Sequence, residues 1–466
     1  MHRRRSCTKN LIFVIFLLTL PLANNASAEW KEKVLYSFQG IPDGAYPGAG
    51  VVFGADGNLY GTTTYGGANN CPGITQCGVV FQLQPPMQKG GAWSEHVLYV
   101  FKGVNSNDGD APVGGVIFDQ SGNLYGTTAY GGTGKCQLFG GRVGCGTVYE
   151  LVPPKQKNGA WTEQVVYSFQ SGKDGYFPWG NLTWDSAGNL YGSTQYGGGH
   201  GSCNAPYYQY CGTVFKLSPP KTKGGKWTEQ VLYSFKGVGA GKQFGDGANP
   251  NGGLVFDTKG TIYGTTYFGG NNVQGRCAGG SGGTGCGIVF KLSPPITKGG
   301  KWTEMRLQRF NGEDGSNSAA GVVFDGNGNL YGTTSFGPGP DGLIFELKKP
   351  SGKLGAWTET VLHLFSDRND GANPAAALIF DSHGNLYGTA LAGGIPRGVV
   401  FRLEPPKRGK SWPLAVLYNF TGSPDGDHPV ASLVFDSKAN LYGTTEWGGT
   451  GQSCQGGCGT VFAISP

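Results

Sequence analysis

Side chains able to do acid–base or nucleophilic chemistry are sparse in this chain, which holds 30 Asp+Glu, six His and 11 Cys among 466 residues. Two neighbouring pairs stand out as the candidates for an acid–base pair at the mouth of one face: Asp427 beside His428, and Glu446 beside Trp447. A carboxyl and an imidazole converging on one cavity are what hydrolysis or elimination on a polysaccharide would need. Two nucleotide- and nucleophile-type motifs are also spelled out. Gly279–Gly283 reads G-x-S-x-G, and Gly280, Gly282 and Gly285 read G-x-G-x-x-G. Both fall in one Gly-rich loop between Cys277 and Cys286, with no helix after them to supply an elbow or an anion-binding dipole. In a chain with 86 glycines they are chance matches. H-E-x-x-H, Walker and D-x-D-x-D loops are lacking, so no metal and no cofactor are expected.

What must position any such residues is a repeat. Gly57–Thr63 (GNLYGTT) recurs at Gly122, Gly188, Gly260, Gly328, Gly384 and Ala439, at intervals of 55 to 72 residues. Self-similarity at such a period marks a solenoid, propeller or array. Each unit carries four β-type runs. In the second unit these are Gly115–Asp119, Asn123–Ala129, Gly146–Leu151 and Trp161–Phe169, all rich in Val, Ile, Thr, Tyr and Phe and bounded by Gly, Pro, Asn or Asp. Nothing shows the 3.6-residue period of an amphipathic helix. Four antiparallel strands in each of seven units predict an all-β, seven-bladed β-propeller. A stacked β-solenoid, the alternative, repeats at a shorter period.

The phase of the ends argues for closure. The chain enters its repeats on a lone fourth-type strand, Val34–Phe38, and its last third-type strand is Gly459–Ile464. Pairing them would complete the last blade and remove an open edge. Residues 1–28 read as a secretory leader, with basic Arg3, Arg4, Arg5 and Lys9, an apolar Leu11–Leu22 and a small-residue Ala26–Ala28 cleavage site. The propeller is then expected over residues 29–466. Loss of the leader takes 36 Lys+Arg to 32 against 30 Asp+Glu, and this near-neutral balance without a basic run gives no support to nucleic-acid binding. A secreted monomer without a transmembrane segment is expected.

Cysteine placement agrees with export. Cys71/Cys77, Cys136/Cys145, Cys203/Cys211, Cys277/Cys286 and Cys454/Cys458 each lie in the loop between second and third strands of one unit, and the two units without cysteines have short loops there. The arrangement predicts five local disulfides rather than metal sites, since no His cluster accompanies them.

Several of these runs, Val231–Phe235 (VLYSF), Gly253–Asp257 (GLVFD), Gly328–Thr334 (GNLYGTT) and Gly212–Pro220 (GTVFKLSPP), together resemble the GloVer tandem repeat of secreted bacterial proteins with varied anchors. The resemblance covers the repeats throughout and implies an exported, propeller-like protein; it assigns no catalytic residue. The Asp-x-x-Gly-Asn-Leu-Tyr hairpin is more distantly similar to that of NHL-type and sensor-type propellers, which speaks to fold and not function.

In a repeat protein, a group present in every unit is explained by the fold, and a group present once needs another reason. The Asp-Gly pairs at Asp43, Asp108, Asp174, Asp246, Asp314, Asp370 and Asp425 occur throughout and read as crossover turns, with a ring of calcium carboxylates as the alternative. The second-to-third loops and these crossovers share one face. Its singletons are Trp179, His200, Tyr207, Tyr208, Tyr210, His428 and Trp447. Long loops on blades 1, 2, 3, 4 and 7 predict a walled basin with a gap at blades 5 and 6, Trp179 near its floor and Tyr207, Tyr208, Tyr210 and Trp447 on its walls. Exposed aromatics in a polar concavity suit a sugar ring. The leading expectation is a secreted, non-catalytic binding module whose partner is a polysaccharide or a protein. A propeller enzyme acting on an extracellular polysaccharide and a structural cell-surface component are the alternatives.

Overall fold

A computed structural model describes residues 30–466, except 68–76, 137–142, 157–158, 200–210, 223, 238–244, 271–276, 278–284, 353–354, 367–368, 395–396 and 408–410. The second strand of each blade, such as Leu124–Thr128 or Leu330–Thr334, is buried along its whole length because neighbouring blades cover both its faces. Outer strands such as Thr228–Ser234 alternate exposed and covered positions, one face packing and the other meeting water. Between them, third strands such as Thr213–Ser218 bury everything but their outermost polar positions. The chain is thus all-β, seven four-stranded antiparallel blades arranged as a propeller.

The ring closes as expected. Lys31–Ser37 pairs antiparallel with Thr460–Ser465, Val34 lying opposite Phe462, and becomes the outer strand of blade 7. Blades are numbered by their first strands: 1 (Val52–Phe53), 2 (Ile117–Phe118), 3 (Thr183–Trp184), 4 (Val255–Phe256), 5 (Val323–Phe324), 6 (Ile379–Phe380) and 7 (Val434–Phe435). These first strands are shorter than the five-residue runs expected. Near the axis the entering chains turn to their neighbours for partners; the Gly115 N–H, for example, donates to the side chain of Asn181 in the next blade, at 2.7 Å. The convergence is tight enough that a Cβ on Gly252 would lie 2.2 Å from the backbone of Gly321.

Blades are joined by aromatic edges. Phe38–Phe81, Phe101–Tyr149, Phe169–Phe215, Phe235–Phe290, Phe310–Phe345, Phe365–Phe401 and Phe420–Phe462 meet edge to face, with centroids 5.0 to 5.4 Å apart. The third-strand ring also lies over the glycine in the middle of its own second strand; a Cβ on Gly61 would sit 2.6 Å from the Phe81 ring. That contact explains why a glycine is spelled into every L-Y-G-T run.

Each Asp-Gly carboxylate is consumed locally, as the turn reading expects. Asp43 accepts from the Gln39 N–H and the Tyr36 hydroxyl, and Asp174 and Asp425 repeat the pattern with Gln170 and Tyr167 and with Thr421 and Tyr418. Cys136–Cys145, Cys277–Cys286 and Cys454–Cys458 are disulfides within single loops. Cys77 and Cys211 are disulfide-bonded too; their expected partners, Cys71 and Cys203, lie outside the described residues. Among those residues, no helix is long and apolar enough to cross a membrane.

Candidate functional site

Every crossover between blades passes through a residue with positive φ two positions after the Asp-Gly turn's glycine: Tyr46, Ala111, Phe177, Asn249, Asn317, Asn373 and His428. Its N–H donates to a carbonyl just before the third strand of the preceding blade, on Cys458, Cys77, Cys145, Cys211, Cys286, Asp341 and Arg397 respectively. Asparagine tolerates this left-handed backbone, and Asn249, Asn317 and Asn373 also donate their amides to carbonyls of the preceding blade. Tyr46, Phe177 and His428 have no such excuse. Large side chains held in a disfavoured backbone region point to sites where position matters more than comfort.

His428 leads to the richest cluster. Asp427, only 1% exposed, accepts from Arg397 Nη1 at 2.6 Å and from His428 Nδ1 at 2.6 Å. A carboxylate facing a guanidinium is an acceptor, so Nδ1 of the imidazole is the donor in this contact. The His428 ring lies 4.1 Å from that of Trp447. A short ladder of Gly426–Asp427 with Trp447–Gly448 fixes this arrangement, and the Glu446 N–H donates to the His428 carbonyl. The two pairs singled out in the sequence therefore belong to one place.

Beside them is a cavity of about 620 Å³ lined by Tyr46, Tyr65, Arg397, Glu446, Trp447, Gln455 and Gly456. It joins three adjacent blades, 6, 7 and 1. Tyr46 and Tyr65 meet edge to face at 5.5 Å. Burial pushes the Glu446 carboxyl above its usual range, with His428 opposing. Burial likewise raises Tyr46, Glu446 and Tyr65 adding to it, while an N–H from Gln455 to the phenol oxygen works against.

Trp179 stands elsewhere. It is 39% exposed, stacked on Phe177 at 5.3 Å, and lines an axial depression of about 290 Å³ with small residues such as Gly48, Ala49, Ala320 and Ala431. Trp179 and Trp447 line separate depressions. His200, Tyr207, Tyr208 and Tyr210 lie outside the described residues. On the opposite face, Tyr125, Trp184 and Trp227 line a cleft of about 540 Å³. The same aromatic trio recurs as Tyr60, Phe118 and Trp161 and as Tyr263, Phe324 and Trp357, so the fold accounts for it.

Arg397, Tyr46 and Tyr65 were not singled out from the sequence. Tyr65 has tyrosine counterparts at Tyr130 and Tyr196, which hides it among repeats. Arg397 lies in a short loop without cysteines. Alignment on the glycine before each third strand would have exposed it, because five of the seven units place a cysteine there.

Fold and site together define a seven-bladed propeller with an aromatic, charge-bearing pocket on its crossover face. Residues 276–466 match the Gloeobacter/Verrucomicrobia repeat. No curated protein matches the sequence. Among solved structures, a putative oxidoreductase (glucose dehydrogenase) from Thermus thermophilus is similar at 16% identity, covering 76% of this chain and 96% of that one, with a TM-score of 0.39. A putative gluconolactonase is similar at 12% identity over 94% and 92%, TM-score 0.37, and a gluconolactonase from Xanthomonas campestris at 14% over 74% and 82%, TM-score 0.35.

Proposed function

We propose that this is an extracellular, non-catalytic binding module that holds a saccharide in the pocket between blades 6, 7 and 1. The observation that carries the reading is the pairing of aromatic walls, Trp447, Tyr46 and Tyr65, with polar groups of Arg397 and Glu446 in one concavity. Sugar rings offer apolar C–H faces to aromatic planes and hydroxyls to a few fixed polar groups. The cavity also falls within the range of about 300–1,000 Å³ typical of small-ligand sites. Titration of a panel of oligosaccharides, followed by tryptophan fluorescence and calorimetry, tests it. Trp447→Ala should weaken binding at least several-fold with the fold intact. An unchanged affinity, or a ligand footprint confined to the opposite face, overturns the assignment.

One observation favours a second reading, an enzyme acting on an extracellular polysaccharide. Asp427 orients the His428 ring at 2.6 Å, and the carboxyl of Glu446 lies close by. Such a pair is what an acid–base mechanism uses. Product formation by the wild type that is abolished in His428→Ala would establish this reading in place of the first.

A further inference from the structure

We infer that the occupant of the pocket is an acidic saccharide, a pyranose bearing a carboxylate, and that Arg397 is the group that recognises the charge. The inference rests on the saccharide reading above and adds the chemical class of the ligand.

The backbone role of Arg397, accepting the His428 N–H at 3.1 Å, is filled in other blades by cysteines and by Asp341. Nothing in that role needs a guanidinium. The side chain has instead been provided with its own support. Asp427 is buried at a position where Ala45, Ala248, Ser316 and Ala372 stand in four other units and Tyr176 in a fifth, only Asp110 of blade 2 being a second buried carboxyl there. A carboxylate taken out of water is costly unless it is paired and hydrogen-bonded, so its presence needs a reason. Here it holds one end of Arg397 through Nη1, while His428 takes its other oxygen.

The result is a guanidinium fixed in direction yet 49% exposed, lining the pocket and making no other hydrogen bond to a described residue. Arginine presents five N–H donors in a planar fork, so several remain for a ligand. A fork held in place by a buried carboxylate loses little entropy on binding and matches a planar carboxylate in two parallel bonds. Trp447 and the edge-to-face tyrosines supply the apolar side for the ring that carries it. The pocket's own carboxyl, Glu446, would repel an anion when ionised. Burial favours its neutral form, which reduces that opposition and leaves an O–H to donate.

The test uses the full mature chain with tri- to penta-galacturonate and with neutral oligogalactosides of the same length, by calorimetry at low and moderate salt. The acidic oligomer should bind roughly tenfold or more tightly than the neutral one, as expected for a charge-assisted bidentate contact. Arg397→Gln should erase that difference, Arg397→Lys should recover part of it, and added salt should weaken only the acidic ligand. Asp427→Asn, which keeps the shape but frees the guanidinium, should reduce the preference by a smaller factor. Thermal melts verify that each variant is folded. Equal affinity for acidic and neutral oligomers, or a preference untouched by Arg397→Gln, overturns the acidic assignment while leaving the saccharide reading in place. Absence of binding to either series, with Trp447→Ala indistinguishable from wild type, overturns both.

Discussion

Single residues that break the seven-fold pattern are the ones whose cost can be weighed. Tyr149 occupies a third-strand position that is Phe81, Phe215, Phe290, Phe345, Phe401 and Phe462 in the other blades. It is fully buried, its hydroxyl has no hydrogen-bond partner, and Thr127 Oγ1 in the adjacent strand has none either. The equivalents of Thr127 all find a carbonyl on the next blade, as Thr62 does with Gly114 and Thr444 with Ala49. An unsatisfied buried hydroxyl costs about 1–3 kcal/mol. Tyr149→Phe should therefore raise stability by about 1 kcal/mol or more, measured by chemical denaturation. A destabilised variant would mean that the hydroxyl has a partner after all. Trp179 gives the contrasting case. It is half-exposed and stacked on one ring, so Trp179→Ala should cost little stability and, since it lines a different depression from Trp447, should leave saccharide affinity unchanged.

At the scale of strands and loops, the repeat made most of the architecture readable in advance. Four β-type runs per unit, and complementary phases at the ends, were enough to expect the pairing now seen between Lys31–Ser37 and Thr460–Ser465. Deleting residues 29–40 should leave the edge of Thr460–Ser465 unpaired and expose Phe462 and Ile464. Aggregation or a large fall in melting temperature is expected, and a deletion variant with wild-type stability would refute closure by this strand. The loop bridges were legible for the same reason: a cysteine pair within one unit's loop has nowhere else to go. Closing loops of four to nine residues should contribute about 2–3 kcal/mol per bridge on the chain-entropy model. Reduction should accordingly loosen the crossover face while circular dichroism reports the strands intact. The site was legible only in part. His428 and Trp447 announced themselves as singletons, with Asp427 and Glu446 as their neighbours, but their assembly with Arg397 depends on a left-handed crossover backbone, and no residue type marks that conformation when the residue is Tyr, Phe or His rather than Gly or Asn.

Across the whole ring, the groups that set the response to pH come in copies, so small effects accumulate. Outer-strand Glu95, Glu163, Glu229, Glu304, Glu359 and Glu32 each face an Asp-Gly carboxylate, on Asp43, Asp108, Asp174, Asp246, Asp314 and Asp425 respectively. Each leaves one carboxyl oxygen without a hydrogen-bond partner. Burial first, and in most cases the neighbouring Asp next, pushes Glu32, Glu95, Glu163 and Glu359 up to about 8. Glu229 and Glu304 are pushed up to about 7, Arg306 restraining the latter. The folded chain therefore binds more protons than the unfolded chain at any pH between the ordinary glutamate value and these raised ones. Stability from this set is complete below the ordinary value and is lost as pH rises through about 7 to 8. The hairpin carboxylates Asp185, Asp381 and Asp436 act in the other direction. Burial raises them, but the N–H donors of their own turns outweigh it and hold them below the usual aspartate value. Their contribution is present above that value and lost as pH falls into the acid range. The two sets together place maximum stability in mildly acidic solution, with the melting temperature falling from about pH 5 to about pH 8 and levelling off above. Glu95→Gln combined with Glu163→Gln should make that fall shallower, because the amide cannot ionise against Asp43 and Asp108. The seventh equivalent position is Leu414, where no such carboxyl exists, so a Leu414→Glu variant should steepen it by facing Asp370. A melting temperature that is flat across this range, or unchanged in slope by these substitutions, would show that the carboxyl pairs escape their burial through water.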